Sequence, residues 1–212
     1  MACGCESKSE RIVLFQGDSV TDCGWDRNDP NSLGAGYPLL VASWYQAMFP
    51  EDDVVFLNRG ISGNRVCDLQ GRWKEDCLDL NPSLVSILIG INDTWRRYDS
   101  NDPTSTEAYE AGYRDILTRT VETLDSQIIM IEPFLLPSPE DKQVFREDLD
   151  PKINVVRKLA REFGATLIPM DGIFAQAAVK RVSEFWSPDG VHPTMPGHAL
   201  IAQSWLDAVG GF

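Results

Sequence analysis

Short apolar runs rich in Val, Ile and Leu recur along the chain, each followed by a polar or glycine-containing loop and then by a stretch of helical periodicity. The runs are Arg11 to Gly17, Asp53 to Asn58, Leu84 to Gly90, Gln127 to Pro133 and Ala165 to Met170. Their hydrophobicity is nearly continuous rather than alternating, which is how strands covered on both faces of a parallel sheet look in sequence. Between them, Tyr37 to Met48, Val66 to Leu80, Ser105 to Leu124, Asp148 to Phe163 and Gly172 to Lys180 have helical character, and a last helix starts around Pro196. Pro50, Pro82 and Pro103 mark breaks, since proline continues neither a helix nor a central ladder. The pattern predicts an α/β protein: a three-layer α/β/α sandwich around a five-stranded parallel sheet of flavodoxin-like type. Ligands bind such sheets beyond the carboxyl ends of the strands, so the loops after the first three strands are where chemistry should gather.

Composition narrows the field without redirecting it. The chain has 212 residues with no break in composition, which reads as a polar tail over 1–10 and one domain over 11–212. A net charge of −13 argues against a nucleic-acid partner, which needs clustered Lys and Arg, and against anionic membrane surfaces. Five cysteines, Cys3, Cys5, Cys23, Cys67 and Cys77, form an odd set without paired CxxC spacing, which suits a reducing compartment better than a disulfide framework. No apolar run has the length of a signal peptide core or a membrane span, so a cytoplasmic protein is expected.

Four polar blocks sit where the predicted sheet needs chemistry. Gly17-Asp18-Ser19 follows the first strand, Gly60-Ile61-Ser62-Gly63-Asn64 the second, and Gly90-Ile91-Asn92-Asp93 the third; Asp189-Gly190-Val191-His192-Pro193 precedes the last helix. In this order, over nearly the whole chain from Phe15 to the final helix, the blocks resemble those of the SGNH (GDSL-type) hydrolases. No single block is specific; the four in sequence are.

Acyl transfer requires a nucleophile, a base, a group that orients the base, and donors for the developing oxyanion. Ser19, at a strand-to-helix turn, is the candidate nucleophile, with Gly17 allowing tight backbone beside it. Only two histidines are present, His192 and His198. His192 fits the base, three residues after Asp189 on a loop flanked by Pro188 and Pro193, while His198, inside the last helix, reads as structural. The resemblance assigns the oxyanion hole to the backbone N–H groups of Ser19 and Gly60 with the side-chain amide of Asn92. Asp18 and Asp93 read as acceptors that brace their loops, because a second carboxylate aimed at the site would repel the oxyanion. Asp18, Asn64, Trp95 and Trp186 are the candidate substrate-binding residues, with Trp25, Arg96 and Tyr98 nearby in sequence. Neither metal nor cofactor is expected.

The strings GDSVTDCG, GAGYPLL, RGISGNRVCDLQGRW and VSILIGINDTWRRYD resemble the branch of intracellular bacterial acetylxylan and xylooligosaccharide acetyl esterases. The resemblance implies deacetylation of an acetylated oligosaccharide. A small acyl pocket follows from that reaction, with Ile61 and Val191 expected to limit its size, and a homo-oligomer is one permitted state. Trp25 and Cys67 depart from the branch, where an arginine is expected in each string. Two other readings stay open: a lysophospholipase- or thioesterase-type lipid acylhydrolase, which the lack of a long apolar lid disfavours, and a catalytically silent carbohydrate-binding module, which would have no use for a base and an oxyanion hole together.

Overall fold

A computed structural model describes residues 11–138 and 140–210; the expected polar tail, with Cys3 and Cys5, lies outside the described residues. Five strands form one sheet: β1 Arg11–Gly17, β2 Val54–Asn58, β3 Leu84–Leu88, β4 Gln127–Ile131 and β5 Thr166–Ile168. Every pairing is parallel and the order is β2-β1-β3-β4-β5, the expected flavodoxin-like arrangement. The helices are α1 Ser19–Asp22, α2 Tyr37–Met48, α3 Val66–Asp76, α4 Ile91–Asp99, α5 Thr106–Thr123, α6 Arg146–Phe163, α7 Met170–Lys180, α8 Ser183–Trp186 and α9 Met195–Val209.

The continuous apolar runs resolve into two cores because side chains alternate across a strand. Val13, Phe15, Leu84, Leu88, Ile129 and Ile131 face α2, α7 and α9, where they meet Tyr37, Val41, Phe174, Ile201 and Trp205. Leu14, Val85, Ile87, Ile128 and Met130 face α3, α5 and α6, against Leu69, Trp73, Tyr113, Ile116 and Leu159. Ser86, a polar residue inside β3, is satisfied by the indole N–H of Trp205 at 3.0 Å, so α9 is keyed to the central strand as well as packed on it. Local signals fix the helix ends: Ser105 and Thr194 cap α5 and α9 through their hydroxyls, and α6 stops at Gly164, whose φ of 65° is left-handed.

Several elements differ from the sequence expectation: β3 and β4 end at Leu88 and Ile131, short of Gly90 and Pro133, α6 starts at Arg146, before the expected Asp148, and the short α8 was not expected. The Val66 to Leu80 helix ends at Asp76 and continues only as a 3₁₀ turn over Leu78–Leu80. The last strand is shorter than Ala165 to Met170, because Met170 already opens α7. Helix α4 was not expected, since the positions its first turn buries include Asn92, Asp93 and Thr94 rather than an apolar stripe.

Trp205 is fully buried and touches both the sheet and its neighbouring helices. Trp205→Ala is expected to cost about 3–5 kcal/mol, read as a lower midpoint in urea unfolding; an unchanged midpoint would contradict the packing described.

Candidate active site

β1 ends at Gly17, where a Cβ would lie 2.4 Å from both the Leu88 carbonyl and Thr21 Oγ1, so only glycine lets β1, β3 and α1 approach this closely. The chain then turns through Asp18, whose Oδ1 accepts the Val20 N–H at 3.0 Å and starts α1 with Ser19 as its first residue. Ser19 Oγ lies 2.9 Å from His192 Nε2. The opposite ring nitrogen, Nδ1, lies 2.7 Å from Asp189 Oδ2. Asp189 Oδ1 accepts the backbone N–H groups of His192 at 2.7 Å and Val191 at 3.0 Å, a turn that Gly190 permits with φ of 81°. Ser187 Oγ, 2.9 Å from the His192 carbonyl and 3.2 Å from Asp189 Oδ1, braces the same turn.

The electrostatics follow from these contacts. Partial burial pushes the Asp189 carboxyl up, but the hydrogen bonds from the His192 ring and from two backbone N–H groups together hold it well below the usual carboxylate range. The bond to Asp189 raises His192 above its ordinary value of 6.5, while burial and the nearby Lys142 ammonium oppose the rise. His198 is of another kind. Its Nδ1 accepts the Tyr37 N–H at 3.2 Å at the start of α2, its Nε2 lies 3.4 Å from Cys23 Sγ, and burial pushes it down to about 4. It is a neutral helix cap, as expected of a structural histidine.

The loop after β2 requires a correction. Gly60 donates its N–H to Asn58 Oδ1 at 2.8 Å, and its carbonyl accepts the Trp25 indole N–H at 2.8 Å. A Cβ there would meet Asp22 N at 2.4 Å. Gly60 is therefore a close-packing glycine whose donor is spent, and it is not an oxyanion donor. The N–H of Ile61 goes to the Gly17 carbonyl, that of Ser62 to Asp22 Oδ2 and that of Asn64 to the Ile61 carbonyl. Gly63, with φ of +85° and open space around it, keeps an N–H that has no acceptor among the described residues. The Ser19 N–H is open in the same sense. Asn92, at the start of α4, spends one Nδ2 hydrogen on the Asn64 carbonyl at 3.1 Å, which sets the amide beside Gly63 with its second hydrogen available. Gly63 was within reach of sequence reasoning as the second glycine of its block. The deciding signal, which N–H the loop consumes, is visible only in the structure.

Arg72 of α3 locks this loop to the nucleophile strand. Its guanidinium donates to Asn64 Oδ1 at 2.9 Å, to Gln16 Oε1 at 2.9 Å and to the Gly17 carbonyl at 3.3 Å. Asp22 makes a second tie, accepting from Ser62 Oγ at 2.8 Å and Arg27 at 2.9 Å.

The four expected substrate contacts separate. Trp95 stands beside the base, its ring centroid 6.0 Å from that of His192, with the Lys142 ammonium over its ring at 4.1 Å. Asn64 commits its side-chain carbonyl to Arg72, leaving its Nδ2 without a partner among the described residues. Asp18 is 1% exposed and commits Oδ1 to the start of α1, so it offers no open face to a sugar, although it lines the small gap next to Ser19. Trp186 packs on the core below α9 and donates its indole N–H to the Ala177 and Arg181 carbonyls, so it braces the loop before Asp189 instead of offering a face to sugar. Asp18 and Asp93 are loop braces as expected, Asp93 accepting the Val66 N–H at 3.1 Å, and burial pushes both up to about 7.

A hydroxyl, a base and an ionised carboxylate in one hydrogen-bonded line, facing open N–H donors at the carboxyl ends of a parallel sheet, define a serine ester hydrolase. The chain belongs to the GDSL-like Lipase/Acylhydrolase family, whose model matches residues 15–200. It is 35% identical over 206 residues to the acetylxylan esterase of Geobacillus stearothermophilus, with 93% of each chain covered. The crystal structure of that esterase matches with a TM-score of 0.88 and 34% identity over 95% of each chain. A GDSL-like lipase from Parabacteroides merdae matches with a TM-score of 0.90 and 37% identity, covering 95% of this chain and 96% of that one. Structures of the Geobacillus esterase include catalytic mutants in which a serine, a histidine or an aspartate is replaced by alanine.

If its amide serves the oxyanion rather than the ground state, Asn92→Ala is expected to lower kcat on p-nitrophenyl acetate roughly 100- to 1000-fold with little change in KM. An equal loss carried by KM would count against that role. His192 must be neutral to take a proton, so kcat/KM should rise with pH through a limb centred above 6.5. Asp189→Asn should displace that limb to lower pH and reduce kcat by on the order of 10⁴; a pH profile from 5 to 9 reads both.

Proposed function

We propose that the protein hydrolyses short-chain, chiefly acetyl, esters of xylooligosaccharides or related sugars through an acyl-enzyme on Ser19. The observation that carries the reading is the Ser19–His192–Asp189 line, with contacts of 2.9 and 2.7 Å. Ser19 Oγ attacks the acetyl carbonyl as its proton passes to His192 Nε2. The resulting oxyanion is held by the N–H groups of Ser19 and Gly63 and by Asn92 Nδ2. Collapse breaks the bond to the sugar oxygen, which leaves with the proton from Nε2. Water then attacks the acetyl-serine, giving its proton to the same nitrogen, and acetate departs with Ser19 restored. Asp189 keeps Nδ1 as the donor throughout and stabilises the imidazolium as it forms.

Space around the nucleophile supports a short acyl group. A small gap next to Ser19 in the chain is lined by Asp18, Val20, Leu88, Ile91, Pro133, Phe134 and Val191; of the two residues expected to limit the acyl pocket, Val191 lines this gap and Ile61 does not. The large apolar groove of the molecule runs between α2 and α9, past Trp44, Met48 and Leu206, and shares no lining residue with the site. The sugar preference draws on the Geobacillus relatives, described as acetylxylan and acetyl-xylooligosaccharide esterases. A cytoplasmic setting belongs to the same reading and is supported by free thiols at Cys23, Cys67 and Cys77. Among the described residues, no helix is long and apolar enough to cross a membrane.

Activity is expected to fall steeply from acetyl to octanoyl p-nitrophenyl esters, and acetylated xylooligosaccharides should release acetate. A rise with chain length would favour a lipid acylhydrolase.

A further inference from the structure

Lys142 lies on the 3₁₀ turn Glu140–Phe145, far in sequence from every block that marks the site. Its ammonium nevertheless closes the turn that carries Asp189 and His192. Nζ donates to the Asp189 carbonyl at 2.9 Å and lies 3.6 Å from Oδ2, the carboxylate oxygen that also receives the His192 ring. The same ammonium sits over the Trp95 ring at 4.1 Å, and Trp95 flanks His192. The side chain is only 14% exposed, so its charge acts with limited screening. In a chain of net charge −13, a mostly buried lysine at this point is a placed charge rather than part of a basic surface.

We propose that Lys142 is a positioning residue of the catalytic base: it fixes Asp189 through two contacts and offsets part of the carboxylate field that His192 feels. The inference rests on His192 acting as the base. Asp189, on the same loop, stabilises the imidazolium, as does the buried Asp18 carboxyl at the cap of α1. Lys142, from the 140–145 turn, opposes them, and His198 on α9 is neutral in the working pH range. Without Lys142 the Asp189 carboxylate, joined by the part of the Asp18 charge that survives its being pushed up to about 7 by burial, would keep His192 protonated further up the pH scale, where it cannot accept the Ser19 proton. Lys142 thus widens the range in which the base is free while leaving Asp189 ionised to orient it.

The chain's two histidines make this directly measurable. In untagged protein, His192 is the histidine whose ring Hε1 resonance should move near neutral pH, since burial pushes His198 down to about 4. Lys142→Met, which keeps the aliphatic stem on Trp95 and removes the charge, should displace the His192 titration to higher pH. It should also lower kcat/KM for p-nitrophenyl acetate roughly two- to fivefold on the acidic limb, the size of effect that one partly solvated charge pair supplies. Lys142→Arg should return both towards wild type. A Lys142→Met protein whose His192 titration stays in place, or moves to lower pH, overturns the proposal whatever its activity. A uniform loss of kcat with an unmoved limb identifies a purely structural brace and overturns it too. Because the resonance is read without turnover, failure of the esterase reading would show separately, as absent hydrolysis with the titration still displaced.

Discussion

One hydrogen bond sets the tolerance for the whole molecule: Ser19 Oγ to His192 Nε2 at 2.9 Å, between residues 173 positions apart. Proton transfer from a serine hydroxyl demands that contact to within a few tenths of an ångström, so the first strand and the last helix must be held in one frame. Parallel β1 and β3, joined by register from Val13 with Leu84 to Gly17 with Leu88, bring the nucleophile turn next to the Asn92 helix. Trp205 keys α9 to Ser86 in the middle of β3, and Thr194 opens α9 two residues after His192. The cores on either face of the sheet therefore do more than stabilise the fold, because they fix the distance on which the chemistry depends.

Charge is distributed around that contact with the same economy. Asp189 is the ionised carboxylate at the site, kept so by a ring N–H and two backbone N–H groups. Asp18 and Asp93, adjacent in sequence to Ser19 and Asn92, are buried and pushed up to about 7, each engaged with a helix N-terminus. Burial thus reduces the negative charge that these two carboxyls would otherwise direct at a developing oxyanion. Arg72 and Asp22 tie the Gly63 loop to the nucleophile strand and α1, so its donors stay oriented before substrate arrives.

Much of this was legible in the sequence, and the exceptions have physical causes. Continuous apolar runs located all five strands because a two-faced strand leaves no room for polar interruption, and Ser86 shows how one exception is absorbed. Ser19, His192 and Asp189 could be singled out as the proposed triad because that chemistry restricts residue type and the histidine supply is two, and the structure places the three side chains in contact. Helix α4 was hidden because its buried turn includes Asn92, Asp93 and Thr94, which imitate a loop. Gly60 was preferred to Gly63 because sequence cannot show that Asn58 takes the Gly60 donor. Asp18 and Trp186 were expected at the substrate because side-chain direction is unreadable, and both turn away to serve the backbone. Lys142 carried no signal at all, being an isolated lysine in the polar stretch before α6.

The central claim is that the reaction passes through a covalent ester on Ser19. Rapid acid quenching during turnover of p-nitrophenyl acetate, followed by peptide mass spectrometry, tests it most directly. The account predicts one acetyl group, carried by the peptide that spans β1 and α1 and located on Ser19, and none in a His192→Ala protein. An acetyl group on another residue, or sustained turnover by the wild-type protein with Ser19 unmodified when acyl release is slowed, would contradict it.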